Sequence, residues 1–598
     1  MRVCILLSAV CLVVSLAPAQ AVRDTVWLVT DDSVRIDATY FTPQGSPPPG
    51  GFPGLVFVHG LGGSKSACEP GAQTYAGLGY VTLAYSVRGQ GRSTGKSMLF
   101  SWRERRDLAA VAAWLAARPN MNDTLLGVAG GSQGGYHSWY AGLDEVPGVR
   151  AAEPDNAVPH FEDDMARYGC YGTVITNLMN YSSNVRIDTL AIPVRRLMRA
   201  DNYDSIRLLV ADGRTFDKTD VAASSVAFLM AGAWHDHCFA HSRYPGAFNV
   251  APPHSMMYLG AGGHGSEYVP AEVAFRDTLR RCFFGERLKG EYHGLDTIGP
   301  GIVSLGPDWQ HVEFSSWPPP GLTYQDFWLH SDSSMNSSPP GGGDSLARLQ
   351  HKLTNPSYSW DSAVTDLFRH ATGAFLRNRA SFRTAPLSQA VQLLGIPEAE
   401  VWAKGPVPMK QISLQLYDEP PAGPPTYLAQ ISLGKRDNAD STAWDRLAGE
   451  FSPVGWEIPA GHRIRVDWAT INQTLTDTLL WRVPYWNADG TLVLGLDSLH
   501  PARISFPVLL PAGVQETPNA KVGTANTPTI VRGVLRLQDG PSTNSSWLLD
   551  AAGRKVLDLH AGTNDVSCLA PGVYFVRERL AVGGERSAVG VRKVIVSR

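Results

Sequence analysis

The segment Gly130-Gly131-Ser132-Gln133-Gly134-Gly135 directly follows the apolar run Leu125 to Ala129. A G-x-S-x-G pattern where a strand turns sharply into a helix forces the serine into a strained backbone conformation and raises its hydroxyl at the carboxyl edge of a sheet. A serine hydroxyl is a weak nucleophile until a histidine takes its proton and a carboxylate orients that histidine. In such a fold the acid and then the histidine follow the nucleophile, each just past a buried strand. Asp236 sits five residues after the apolar run Val226 to Ala231, and His264 follows Met256 to Leu259 in a glycine-rich loop. Asp217, Asp220 and His254 are rivals, but all precede their strands and so fall at the wrong end. The oxyanion of an acyl-transfer intermediate needs two preorganised donors. The backbone N–H groups of Gln133, just after the nucleophile, and Leu61, in His59-Gly60-Leu61-Gly62-Gly63 after the run Leu55 to Val58, occupy those positions. The cluster His235-Asp236-His237 with His241 could bind zinc, yet no second ligand group has a metal-like spacing, so neither metal nor other cofactor is expected.

These residues need a scaffold. From Val26 to about Gly290, short buried strands such as Leu55–Val58 and Tyr80–Tyr85 alternate with helical stretches such as Ser66–Leu78 and Glu104–Ala117. That rhythm predicts βαβ units around a mostly parallel sheet, an α/β-hydrolase fold over residues 22–298. Glu153 to Asp220 breaks the rhythm with charges such as Glu162-Asp163-Asp164 and reads as an inserted helical cap, about 153–222. After Gly299 the text changes to alternating strands, among them Ile412/Leu414/Leu416 and Ile464/Val466/Trp468, which predict an all-β sandwich over 299–510. A linker rich in Pro, Gly, Asn and Thr, 511–528, precedes a small all-β module, 529–598.

Composition narrows the function class. The 598 residues carry a net charge of −3 with only 18% charged residues, so there is no basic surplus for nucleic acid or an anionic membrane. Glycine (59) and proline (42) are abundant, as a turn-rich protein requires. Arg2, the apolar stretch Ile5–Ala17 and Ala19-Gln20-Ala21 form the charged, apolar and small-x-small parts of a cleavable export signal, residues 1–21. The apolar part is too short to span a bilayer and no other segment is long enough. Five cysteines follow it (68, 170, 238, 282, 568), enough for one or two bridges with at least one thiol left over.

The segment from Gly79 to Gly95 (GYVTLAYSVRGQGRSTG) resembles the D-x-R-G-x-G-x-S-x-G stretch of the cocaine-esterase and X-prolyl dipeptidyl-peptidase hydrolases. Glu104/Asp107 with Trp114-Leu115, the elbow at Ser132, the Trp-x-Asp at Asp236 and the loop of His264 continue the likeness in order. Ser316-Trp317-Pro318, Phe327-Trp328-Leu329-His330 and Pro459-Ala460-Gly461-His462-Arg463 are similar to that family's C-terminal jelly roll. The resemblance covers about residues 25 to 510 and implies a Ser132–Asp236–His264 triad. Two positions depart from it: Gln133 stands where the family usually has tyrosine, and His59-Gly60 where it has Pro-Tyr, so a hydroxyl donor to the oxyanion is missing. Arg88-Gly89-Gln90 with Gly-Gly-Ser-Gln-Gly-Gly is instead similar to acetyl-xylan and cephalosporin-C deacetylases.

The expected activity is therefore cleavage of an ester or amide bond in a small-molecule or peptide substrate through an acyl-enzyme. A deacetylase-like acetyl esterase is the second reading, and a non-catalytic binding protein on a hydrolase scaffold the third. A peptidase would need an anion for the substrate α-amine, a role open to Glu162, Asp163 or Asp164, with Trp234 beside the acid as a further substrate contact. Trp547 to Val556, Leu569 to Val576 and Lys593 to Val596 resemble the sorting domain of type IX secretion substrates. That likeness implies passage through Sec and then the type IX machinery, to release or attachment at the outer surface of a Gram-negative cell.

Overall fold

The computed structural model describes residues 21–509, apart from 158–159, 173–183, 189–190, 237–238, 240–242, 265–268, 343–345, 369, 406–409, 437–439, 441 and 473–488, together with most of the strands between 529 and 596. Residues 1–20 of the expected leader and the whole linker lie outside the described residues. The chain divides into two compact units, Ala17–Gly513 and a second containing Val514–Arg598. No helix among the described residues is long and apolar enough to cross a membrane.

The first unit opens on a ten-stranded sheet. Its strands are β1 (Val22–Val29), β2 (Arg35–Thr42), β3 (Phe52–Val58), β4 (Val81–Tyr85), β5 (Met121–Gly131), β6 (Val149–Asp155), β7 (Ala227–Ala233), β8 (Met256–Gly260), β9 (Gly301–Leu305) and β10 (Gln310–Phe314). Their spatial order is β1-β2-β4-β3-β5-β6-β7-β8-β9-β10, and every neighbouring pair from β4 to β9 is parallel. The strands β3, β4, β7 and β8 are buried along their whole length, which is why they read as continuous apolar runs. Helices α1 (Lys65–Gly77), α2 (Trp102–Ala116) and α3 (Gln133–Leu143) make the early crossovers, and α4 (Pro270–Lys289) follows β8. Helix α2 lays Leu108, Val111, Ala112 and Leu115 into the core, the face its spacing predicts. Its N-terminus is pinned by Glu104, whose carboxylate accepts from the N–H groups of Ser101 and Met98.

Two boundaries differ from the sequence expectation. The interruption does not begin at Glu153, because Val149–Asp155 is a central strand of the sheet. Its charges disguise it: Glu153 is fully buried and is neutralised by Arg280 from α4. The hydrolase sheet also runs beyond residue 298, since β9 and β10 extend it to Phe314. The inserted region contains the short helices Phe161–Met165, Ala191–Arg199, Tyr203–Ala211 and Lys218–Ala223 and a hairpin pairing Ala166–Arg167 with Cys170–Tyr171.

The remaining strands of this unit form a nine-stranded and a four-stranded antiparallel sheet around a second core that includes Leu393, Val401, Leu414, Val466, Trp468 and Phe506. Leu428 is the extra residue of a bulge opposite Leu416/Tyr417, which lets Leu428, Ala429 and Ile431 all reach that core. The cap is tied to this sandwich. Gly434 donates its N–H to the Tyr168 carbonyl at 2.7 Å, and Glu450 its own to the Tyr168 hydroxyl at 3.0 Å. The second unit carries a five-stranded sheet and a two-stranded one around Leu535, Leu548, Leu559, Val566 and Tyr574.

Candidate active site

Strand β5 ends at Gly131 and α3 begins at Gln133, leaving Ser132 alone at the turn with φ 56° and ψ −118°. A non-glycine residue holds that conformation only where its surroundings over-determine it. Here the Ser132 N–H donates to the Asp155 carbonyl at 2.9 Å. Behind it α3 lies so close to β3 that a Cβ at Gly134 would come within 2.0 Å of the Val58 carbonyl oxygen. Glycine at that position is what allows the elbow.

Asp236 and His264 come to the same edge from the ends of β7 and β8. Their loops are stitched together by backbone bonds, Trp234 N–H to Gly260 O at 3.1 Å and His235 N–H to Gly262 O at 3.2 Å. The His264 Nδ1 lies 2.8 Å from Asp236 Oδ2 and its Nε2 lies 3.0 Å from Ser132 Oγ. The other carboxylate oxygen, Asp236 Oδ1, accepts the Phe239 N–H at 3.1 Å. The Phe239 ring packs on the imidazole with centroids 5.2 Å apart. Burial alone would lower the His264 pKa, but the hydrogen bond and charge of Asp236, with the charge of Asp155, outweigh it and leave it above the ordinary 6.5. The imidazolium formed on taking a proton is thereby favoured. The rivals stand elsewhere: Asp217 caps the helix Lys218–Ala223, and His254 is an exposed loop residue with φ 70°.

The loop after β3 faces the elbow. A Cβ at Gly60 would lie 3.6 Å from that of Ser132. Gly63 closes a turn onto Gly60, and the Gly62 N–H is taken by the Gln90 side chain. The N–H groups of Leu61 and Gln133 have no acceptor among the described residues. His59 holds the loop from inside, its Nε2 accepting the Val87 N–H at 3.0 Å while Nδ1 sits 2.7 Å from the Gly60 carbonyl. Burial pushes its pKa down to about 4, so it is a neutral, fixed support.

Trp234 does not serve as a substrate contact. It is 2% exposed, donates its indole N–H to the Ser304 carbonyl at 2.6 Å, and abuts Gly455 of the sandwich. The three cap carboxylates share the short helix Phe161–Met165. Asp163 is already paired with Arg207 and Arg243, and Glu162 accepts from Thr215. Asp164 is buried on the same helix. His235 is held near a pKa of about 4 by burial, while His237 and His241 lie outside the described residues. Among the described residues no group of three metal-ligating side chains assembles. Cys68 and Cys282 are free thiols, and Cys238 and Cys568 lie outside the described residues.

Residues 31–218 match the X-Pro dipeptidyl-peptidase (S15) family, and residues 295–492 match the X-Pro dipeptidyl-peptidase C-terminal non-catalytic domain. The chain is a serine hydrolase of the X-Pro dipeptidyl-peptidase type. Its fold is shared with an aminopeptidase from a marine-sediment Thaumarchaeota archaeon, at 15% identity over 83% of this chain and 97% of that one with a TM-score of 0.64. An α-amino acid ester hydrolase is equally similar, at 15% identity, 83% and 98% coverage and a TM-score of 0.64. A CocE/NonD family hydrolase from Staphylococcus aureus reaches a TM-score of 0.65 at 13% identity, over 82% of this chain and 94% of that one. No curated protein matches the sequence.

Within this X-Pro dipeptidyl-peptidase-type scaffold the conspicuous motif residues turn out to be supports. Arg88 makes two 2.6 Å bonds to Asp107 and a third, at 2.9 Å, to Asp32, fixing the Arg-Gly-Gln-Gly segment against α2. Three contributors escape a reading of the sequence: Asp155, Gln90 and Gly455. Asp155 lies in the charged stretch that reads as cap. Gln90 lies in the motif itself, which is a signal, but only its contacts reveal a task. Gly455 lies in another sheet, and nothing local marks it.

Proposed function

We propose that the chain cleaves an ester or amide bond through an acyl-enzyme on Ser132. His264 takes the Ser132 proton as Oγ attacks the carbonyl, and Asp236 holds the imidazole and balances its charge. The backbone N–H groups of Gln133 and Leu61 receive the oxyanion. His264 then protonates the leaving alcohol or amine, and water, deprotonated by the same imidazole, releases the acyl group. The observation that carries this reading is the unbroken relay from Asp236 through His264 to a serine held at positive φ. The family matches favour an X-prolyl peptide or related acyl substrate. A second reading, an esterase for small acyl groups, is supported by the Gln90–Gln133 side-chain contact, made by the two residues that resemble the deacetylases. The leader and the terminal module support export through Sec and the type IX route.

Labelling with a fluorophosphonate tests the nucleophile. Wild type should label and Ser132→Ala should not, and equal labelling would end the proposal. An Ala-Pro anilide assayed beside p-nitrophenyl acetate separates the substrate readings, since turnover of the ester alone removes the peptidase.

A further inference from the structure

Three hydrogen bonds connect the loop after β3 to the nucleophile elbow, and all run through two buried amides. The Gly62 N–H donates to Gln90 Oε1 at 2.8 Å. Gln90 Nε2 donates to Gln133 Oε1 at 2.8 Å. Gln133 Nε2 in turn reaches the His59 carbonyl at 3.5 Å, on the same loop as Gly62. Gln90 is wholly buried and Gln133 is 1% exposed, so neither amide has water as a substitute partner. The donors and acceptors run in one direction, so changing either amide leaves a buried polar atom unpaired in the other.

Resting on the Ser132 reading above, we infer that Gln90 is a positioning residue that sets the width of the oxyanion hole. The two proposed donors belong to separate pieces of chain: Leu61 to the loop, Gln133 to the elbow. Nothing in the covalent structure keeps their N–H groups converging on one oxygen. The amide ladder does so, because it clamps Gly62 and His59, which flank Leu61, to the side chain of Gln133, whose own N–H is the second donor. Gln90 itself is fixed by its N–H to the Val87 carbonyl, 3.0 Å away, and Val87 also donates to His59. The support is thus closed on itself. Because a misplacement of about 1 Å costs about a hundredfold in rate, such a clamp has a measurable job.

The test compares Gln90→Leu, the isosteric Gln90→Glu, Gln133→Leu and the double Leu variant. Competent sites are counted by fluorophosphonate titration so that unfolded protein does not enter the rates. Per site, each single variant should lose about 10- to 100-fold in kcat and in kcat/KM for p-nitrophenyl acetate together. Inhibition by n-butylboronic acid, whose tetrahedral adduct places an oxygen in the hole, should weaken by the same factor. The double variant should be no worse than the worse single one, because the ladder fails as a unit. Wild-type constants per site, with or without fewer competent sites, would overturn the inference, as would losses that multiply in the double variant. If Ser132→Ala remains active, the nucleophile reading falls first. If that variant is dead while Gln90→Leu is unaffected per site, only the clamp is wrong.

Discussion

The indole of Trp234 rests against the backbone of Gly455 so closely that a Cβ at Gly455 would come within 2.4 Å of it. Trp234 stands two residues before Asp236, and Gly455 belongs to the sandwich strand Val454–Ile458. The same strand exchanges backbone bonds with Gly306, at 3.0 Å from Gly306 N to Gly455 O and 2.6 Å from Glu457 N to Gly306 O. The sandwich therefore braces the loop that carries the acid.

Gly455→Val should consequently harm activity from a distance. The added atoms overpack a filled site, costing about 1–3 kcal/mol, and displace Trp234 and with it Asp236. Lower thermal stability together with a lower kcat per titrated site is the expected pair of results. A stability loss with unchanged kcat would show that the brace does not reach the acid.

Removing members of the relay should have unequal effects. Ser132→Ala should reduce kcat by about 10⁶-fold, to the level the remaining site sustains. Asp236→Asn should cost about 10⁴-fold, because the amide favours the wrong imidazole tautomer. Steady-state rates on the best ester substrate measure both.

The acid limb of the pH profile should lie above the ordinary histidine value of 6.5, because Asp236 and Asp155 overcome burial and raise the His264 pKa. The direction follows from the chemistry: only the free base accepts the serine proton, so kcat/KM falls as pH drops through the raised value. Asp236→Asn removes the chief raising influence and leaves burial, so its residual activity should show a limb shifted to lower pH. Profiles of kcat/KM for wild type and variant from about pH 5 to 9 decide it.

Three other histidines contribute to the acid stability. Burial pushes His59, His137 and His235 each down to about 4. At these three sites, between that value and 6.5, the unfolded chain binds protons that the folded chain refuses, so their contribution to stability rises with pH across this window and is lost as pH falls through it. Unfolding near pH 5 should take up about three protons at these side chains. Asp107, raised to about 6, and Glu153, raised to about 7, act in the opposite direction over the same window. The histidine contribution is therefore read as the difference in the pH dependence of the urea midpoint between wild type and His137→Gln, and no difference would contradict the buried, neutral state of His137.

Ser132, Asp236 and His264 were legible because each follows a strand whose apolar run is unmistakable, and chain order does the rest. The two cores were legible for the same reason, in the continuous runs of β3, β4 and β7 and in the alternation of Ile464, Val466 and Trp468. Strand β6 was not, since Glu153 and Asp155 look like surface until Arg280, far along the chain, is seen to neutralise Glu153. Trp234 misled for a similar reason: beside the acid in sequence, it turns its ring to the sandwich instead of the cleft.

Local patterning thus determines which residues sit at the ends of which strands, because periodicity and turn chemistry act over a few neighbours. Only the tertiary structure decides what holds them there. The Gln90–Gln133 ladder, the brace of Gly455 under Trp234 and the pairing of Asp163 with two arginines join segments tens to hundreds of residues apart. Burial makes each such partner obligatory, because a polar group or charge withdrawn from water must find its match wherever the fold places one.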